Sequence, residues 1–285
     1  DQRLFSREAN DFTTVSLDFI RLLKNKVRTE SGLKMIQRNM SLRSNSETED
    51  AFGNYISDTI SNYNYKYLES IYSAYGIIGG SFKKFRYQAG LRLEYSIQNP
   101  NLISTNQSYK NEYFNFFPSA TIRYEVKKGT ELSLGYSRRI NRPNSGNLNP
   151  FTSYADPYNL RSGNPALRPE YIHSIDLGID YNTKKFNLAF ALYQRYTSNV
   201  IQRVKIFYEN GTSNGTFANI DKSVSSGGEI VLQLKPYPIW RNMLSLNGNY
   251  ITYTDDNPSA NWNREGFVFS MKFSSTLELM KKTLT

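Results

Sequence analysis

The stretch Arg138–Glu170, RRINRPNSGNLNPFTSYADPYNLRSGNPALRPE, has neither helical nor strand periodicity and is rich in proline, asparagine and arginine. It is far too long for a tight connection, and loops of this length are usually functional or disordered. Phe151, Tyr154 and Tyr158 interleave with its prolines and give the loop groups that pack, which argues against disorder. Alternating segments flank it at 131–137 and 171–181. The sequence therefore predicts a long, aromatic, basic loop between two β-strands.

Strand-like segments come in pairs joined by short turns rich in Lys, Gly, Asn and Pro, as hairpin connections are. These turns are predicted at 24–26, 80–83, 127–129, 182–184, 236–238 and 280–282. Long polar connections separate most of the pairs, and they lie at 44–62, 98–111, 140–169 and 254–264. The connection at 209–216 is the exception, because it is shorter and rich in glycine. In an antiparallel meander, this alternation places short turns at one rim and long loops at the other, which is the asymmetry of outer-membrane barrels.

Side chains alternate between apolar and polar along these segments. Residues 85–97 have one apolar face, and the other face carries Arg86, Arg92 and Glu94. The segment 186–208 keeps one apolar parity over about 23 residues, whereas a bilayer needs about 9–11 and soluble strands average about 5–6. We therefore predict an all-β fold, an antiparallel transmembrane β-barrel with short periplasmic turns and long extracellular loops. A soluble β-sandwich, which also alternates, is the other interpretation of this pattern.

Composition excludes several kinds of site. The chain has 285 residues, no cysteine and a single histidine, His173, so disulfides, thiolate metal sites and cysteine nucleophiles are ruled out. No run of eighteen apolar residues occurs, so no transmembrane helix is predicted. The net charge of +10 raises nucleic acid or an anionic membrane surface as partners. The arginines do not form the basic stripe of a nucleic-acid binder, so we expect no nucleic acid partner. With no cysteine and one histidine, we also expect no catalysis, no metal and no cofactor.

A set of motifs in the loop and after it resembles the TonB-dependent receptor barrels, and more narrowly the branch known as the outer membrane β-barrel protein family. Residues 87–94 and 113–118 fit the same pattern upstream. The motifs that carry the resemblance are Tyr136–Pro143, Leu148–Phe151, Asp156–Asn159, Gly163–Glu170, Phe217–Ile220 and Gly227–Glu229.

The resemblance implies a 22-stranded barrel that is occluded by an N-terminal plug, with a TonB box that couples uptake to the proton gradient. The chain is then a single partial barrel domain, residues 1–285, with about 11–12 strands of that larger barrel and without signal peptide, plug or C-terminal strands. Its implied location is the bacterial outer membrane. The implied partners are outer-membrane lipid and lipopolysaccharide, the TonB complex through a plug that this chain lacks, and an unknown small-molecule or oligomeric substrate.

The function that follows is active uptake of a nutrient of unknown identity. An alternative is a plug-free structural, adhesive or porin-like barrel in the outer membrane. A third hypothesis, an extracellular β-rich enzyme or glycan-binding module, requires that these strands be soluble.

The loop has a functional and a structural interpretation. Its arginines suit anionic groups and its tyrosines suit stacking, so a ligand vestibule is predicted from Arg139, Arg142, Asn149, Tyr154, Asp156, Tyr158 and Arg161. The resemblance instead implies architectural roles for Pro143, Asn164, Pro165, Leu167, Pro169, Glu170, Asn219, Gly228 and Glu229. We favour the architectural role for the loop as a whole, because ligands differ among such receptors while the motif recurs.

Overall fold

The computed structural model describes residues 2–58, 61–255 and 263–278, and nearly all of them lie in strands or in the turns between strands. The strands are β1 Gln2–Leu22, β2 Arg28–Glu49, β3 Tyr55–Ser57, β4 Tyr63–Phe82, β5 Phe85–Leu102, β6 Gln107–Ser108, β7 Asn111–Lys127, β8 Thr130–Asn141, β9 Asn159–Arg161, β10 Glu170–Asn182, β11 Phe186–Phe207, β12 Ser213–Tyr237, β13 Trp240–Thr254 and β14 Arg264–Leu277. The helical pieces are two 3₁₀ turns, Lys24–Lys26 and Ile103–Thr105, and α1, Ser145–Leu148. None of the helices in the described ranges has the length and apolar character needed to cross a membrane.

Eleven of the described strands form one antiparallel meander, in the order β1-β2-β4-β5-β7-β8-β10-β11-β12-β13-β14. Three short strands lie off this path: β3 pairs with β2, β6 with β5, and β9 runs parallel to β12. The all-β, antiparallel prediction is confirmed, and so is the very long strand, because β11 has 22 residues.

Short and long connections alternate along the chain as predicted, but the strands run farther into the long connections than predicted, because β2 ends at Glu49, β5 at Leu102 and β8 at Asn141. At one rim, β4 and β5 are joined by residues 83–84, β7 and β8 by 128–129, and β12 and β13 by 238–239. At the other rim, β8 and β10 are separated by residues 142–169. The predicted turn at 280–282 lies outside the described residues. We call the two edges the short-turn rim and the long-loop rim.

The two faces of the sheet differ in chemistry. One face, which we call outer, presents a stripe of exposed apolar side chains that we call the apolar band. On β5, β10 and β14 the band consists of Phe85, Tyr87, Leu91, Leu93, Tyr95, Ile175, Leu177, Ile179, Phe267, Phe269, Met271 and Phe273. The opposite, inner face carries Arg86, Arg92 and Arg123, and toward the long-loop rim its side chains are buried, as in Glu94 and Gln98. The alternation of period two thus assigns the strand faces correctly.

Candidate functional site

Residues 142–169, which we call the strap, fold back over the inner face at the long-loop rim. The strap begins with α1, whose first turn is closed by a reciprocal capping box between Asn144 and Asn147. Its two halves are then joined, because Gly163 N–H donates to Asn149 O at 2.8 Å and Asn164 N–H donates to Asn147 O at 2.6 Å. A Cβ at Gly163 would lie 2.5 Å from Asn147 O, so only glycine permits this approach. The region predicted to lack regular structure therefore has a fixed conformation.

Apolar side chains hold the strap against the sheet. Leu148 is 0% exposed and Leu167 is 1% exposed. Both belong to a core cluster whose other buried members are Tyr65, Tyr67 and Leu102. Partly buried side chains complete the cluster: Met40, Leu42, Tyr63, Phe151, Ile201 and Phe217. Since burying a leucine contributes about 1.5–3 kcal/mol, this cluster stabilises the folded-back conformation.

Hydrogen bonds tie the strap to the strands that precede it in the chain. The Tyr65 hydroxyl donates to Ser145 O at 2.9 Å, and Asn111 Nδ2 donates to Pro165 O at 2.9 Å. Gln98 Nε2 donates to Pro143 O at 3.5 Å. The main-chain carbonyls of the strap are thus acceptors for the inner faces of β4, β5 and β7.

Further along the strap, Leu167 O accepts from the Tyr113 hydroxyl at 3.3 Å. Tyr113 lies beyond the apolar band, and burial raises its pKa to about 12, so the phenol keeps its proton at neutral pH. This bond therefore persists as a donor–acceptor pair under physiological conditions.

A second set of bonds ties the strap to the strands that follow it. Asn219 Oδ1 accepts from Arg168 N–H at 2.8 Å, and Asn219 Nδ2 donates to Arg168 O at 2.9 Å and to Asn199 O at 2.7 Å. Asn164 Nδ2 donates to Phe217 O at 2.9 Å. Asn199, which has a positive φ of 55° on β11, donates through Nδ2 to Pro169 O at 3.5 Å. The strap consequently bridges strands on both sides of its own hairpin.

Glu170, at the start of β10, completes these tethers. Its Oε1 accepts from Ile201 N–H at 2.6 Å and its Oε2 accepts from Asn141 Nδ2 at 2.7 Å. Among the residues that the resemblance marked as structural, Gly228 and Glu229 lie elsewhere, within the β12 ladder opposite Leu192 and Ala191. Their architectural role stays a prediction.

The seven predicted ligand residues do not converge on one place. Arg142 lies under the strap, where it pairs with Glu94 and donates to Ser96 Oγ at 3.0 Å. Asn149 Oδ1 accepts from Phe151 N–H at 3.1 Å, inside the strap. Arg139 is exposed on the inner side of β8 and lines a separate groove with Arg92.

The remaining four, Tyr154, Asp156, Tyr158 and Arg161, lie in the middle of the strap, outside its buried cluster. Tyr154 and Tyr158 are exposed by 48% and 69%. Asp156 forms a tight turn by accepting from Tyr158 N–H at 2.9 Å and from Asn159 Nδ2 at 2.9 Å. These hydrogen bonds hold the pKa of Asp156 below its ordinary value, and the bond from the Asn159 side chain contributes most.

Asp156 and Arg161 border a groove of about 590 Å³ between the strap and the upper ends of β11, β12 and β14. The other side of this basic groove is lined by Arg203, Lys205 and Arg264. Lys205 Nζ contacts the strap directly, at 2.9 Å from Asn159 Oδ1. The described lining thus carries four cations and one carboxylate, an arrangement that favours an anionic ligand.

Sequence reasoning missed three of these four cations, namely Arg203, Lys205 and Arg264. A signal was present for two of them, because Arg203 and Lys205 share the parity of Ile201, which packs against the strap cluster. Their approach to Arg161 depends on the fold of the strap, which no periodicity in the sequence encodes.

Comparisons with known proteins agree with this architecture. The family described as the outer membrane protein beta-barrel family matches residues 2–285. No curated protein matches the chain at a significant level.

Several solved structures share the fold. The copper transporter OprC superposes with a TM-score of 0.68 at 15% identity, over 92% of this chain and 39% of its own. The siderophore receptor PiuA from Acinetobacter baumannii gives 0.58 at 14% identity, over 92% and 41%. The ferric yersiniabactin uptake receptor FyuA from Yersinia pestis gives 0.55 at 12% identity, over 98% and 48%. The chain therefore spans less than half the length of each of these structures.

Proposed function

Because the chain belongs to the outer membrane protein beta-barrel family and so lies in the bacterial outer membrane, we propose that it is the barrel wall of a TonB-dependent receptor that imports a nutrient. The 285 residues then form one partial barrel domain, and the wall performs no bond chemistry. Substrate is captured at the long-loop rim and is released inward by movement of a plug that is coupled to TonB.

The observation that carries this proposal is the basic groove beside the strap. Arg161, Arg203, Lys205 and Arg264 surround a space of about 590 Å³, a volume within the range of small-molecule sites, about 300–1,000 Å³. Arginine and lysine at a partly enclosed mouth attract anions and raise their local concentration. A chelate, peptide or oligosaccharide that carries carboxylate or phosphate groups is the substrate class that these side chains fit.

The strap supports the same function by fixing one wall of the groove. Residues from both of its halves are bonded to the sheet, so Asp156 and Arg161 are held near the cations of β11 rather than on a free loop. A ligand that enters the groove therefore meets a preorganised set of donors, which reduces the entropic cost of binding.

Uptake measurements in cells with and without the gene test this proposal. We expect gene-dependent accumulation of one member of a panel of radiolabelled iron chelates, cobalamin, peptides and oligosaccharides. A protonophore should abolish it, because TonB-coupled transport needs the proton gradient. Accumulation that survives the protonophore indicates a porin-like barrel, and no gene-dependent accumulation at all indicates a structural or adhesive barrel.

Charge reversal tests the groove itself. In the complete protein, the double change Arg203→Glu with Lys205→Glu should raise the half-saturating concentration of an anionic substrate about tenfold or more, because attraction becomes repulsion. Lys128→Glu, in the turn at the opposite rim, is the matched control and should leave it unchanged. Equal effects of the two changes would refute the assignment of the groove.

A further inference from the structure

A row of polar side chains crosses three strands on the outer face, away from the strap and from the basic groove. The strand register places His173 of β10 opposite Arg138 of β8 on one side and opposite Tyr196 of β11 on the other. Toward the short-turn rim the same face is apolar and exposed, as in Leu134 and Leu177. The row therefore marks the edge of the apolar band on the side of the long loops.

Arg138 is held in a defined position within this row. Its Cζ atom lies 4.8 Å from the ring centroid of Phe116 and 4.8 Å from that of Tyr171. Its Nη1 donates to Phe116 O at 2.9 Å. Two aromatic faces and one carbonyl thus fix the guanidinium through cation–π attraction and hydrogen bonding.

The charge of Arg138 has no acidic partner among the described residues; its Nε is buried and one Nη1 proton is used by Phe116 O, so the other Nη protons are the donors that remain for a ligand. Acidic groups at comparable places on the outer face are paired. Glu112 of β7 lies 2.5 Å from Lys110 Nζ, and Glu265 of β14 accepts from the Tyr250 hydroxyl. Arg138 is consequently an oriented cation with donor capacity left over at the level where the apolar surface ends.

The neighbours of Arg138 suit a membrane interface. Tyr136 hydroxyl and His173 Nδ1 are hydrogen-bonded at 2.9 Å. The His173 ring lies 6.2 Å from the Tyr136 ring and 6.4 Å from the Tyr196 ring. Tyrosines placed with an apolar body and a polar end are characteristic of the boundary between lipid chains and headgroups.

From this geometry we propose that Arg138 and the Tyr171, His173 and Tyr196 side chains beside it form a binding site for the phosphate of a membrane lipid. The guanidinium donates to the phosphate oxygens, since its planar fork matches that group. The acyl chains lie along the apolar band below, on Ile175 and its neighbours. A lipid is the occupant because the site faces the same side as the exposed apolar stripe, where the membrane lies.

Native mass spectrometry of the complete protein in detergent tests the proposal with two probes that share acyl chains, dipalmitoyl phosphatidic acid and dipalmitoylglycerol. We expect the protein to retain phosphatidic acid in preference to the diacylglycerol. Arg138→Ala should weaken retention of phosphatidic acid about tenfold, as expected for loss of charge-assisted hydrogen bonds. Lys128→Ala, which removes one exposed charge at the other rim, is the control and should change nothing.

Each other outcome overturns the proposal. Equal retention of both probes by the unaltered protein, or equal loss in the two variants, would mean that Arg138 does not read the phosphate. Displacement of phosphatidic acid by inorganic phosphate at similar concentration would make the site one for free anions. If Arg138→Ala fails to fold, as judged by heat-modifiable migration on gels, Arg138→Gln removes the charge but keeps a polar side chain with most of its aliphatic part, and the same comparison is made with it.

Discussion

Replacing Leu148 by alanine should release the strap from the sheet without unfolding the barrel. The side chain is 0% exposed and belongs to the cluster that includes Tyr65, Tyr67 and Leu167. Leu→Ala changes at such sites cost about 2.7–5 kcal/mol, because the lost transfer energy is joined by the cost of a cavity. We take about 3 kcal/mol, since the strap is at a rim and its neighbours can relax into the space.

Hydrogen exchange of individual amides is the assay. Gly163 N–H and Asn164 N–H are bonded to Asn149 O and Asn147 O within the strap, so their protection reports strap closure. A loss of about 3 kcal/mol raises the open fraction, and with it the exchange rate, about a hundredfold or more. Amides of the ladder between β10 and β11, such as that of Leu177, should keep their protection because that ladder does not depend on the strap.

Tyr154→Ala provides the matched control in the same loop. It removes a larger side chain, but one that is 48% exposed and outside the core cluster, so strap exchange should rise only a few-fold. The reasoning is refuted if Leu148→Ala leaves the exchange of Gly163 and Asn164 unchanged, or if both variants accelerate it equally. In either case the cluster would not be what closes the strap.

Arg142→Gln should lower the free energy of unfolding by about 2 kcal/mol, which denaturant midpoints measure. The expected loss is smaller than the about 3–5 kcal/mol usual for a broken buried pair, because Arg92 still contacts Glu94. The added change Glu94→Gln should restore most of the loss. Ionised Asp156 stabilises its turn, because hydrogen bonds led by that from the Asn159 side chain depress its pKa. That stabilisation is lost as pH falls through the depressed value, so a carboxyl NMR titration should have its midpoint below 3.8, and a midpoint at or above 3.8 would contradict the turn.

The local chemistry of the sequence accounts for most of the fold. Alternation of period two identifies each strand and its two faces, since successive side chains on a strand must point to opposite sides. Glycine and asparagine mark the short turns for a similarly local reason, because they tolerate the turn conformations, as at Gly129 with φ 84°. These signals need no knowledge of distant residues, so both rims and the apolar band could be predicted.

Contacts between distant residues could not be predicted in this way. Asn219 bonds Arg168 across 51 residues of sequence, and Arg142 meets Glu94 across 48. The motifs marked several of these residues as important but gave no partner for them. Which side chain meets which depends on how the strap folds back, and the fold-back is stabilised by a cluster assembled from five strands and the strap itself.

The same distinction applies to the two sites. The alternation of residues 171–181 and 186–208 by itself determined that His173 faces outward and Arg203 inward, because parity is a local property, whereas Arg138 was predicted to lie in the loop and only the structure places it on β8. Only the tertiary structure decided that Arg138 lies opposite His173, and that Arg203 shares a groove with Arg161. Strand register and loop path set these juxtapositions, and both are fixed by the sum of many long-range contacts rather than by any one segment.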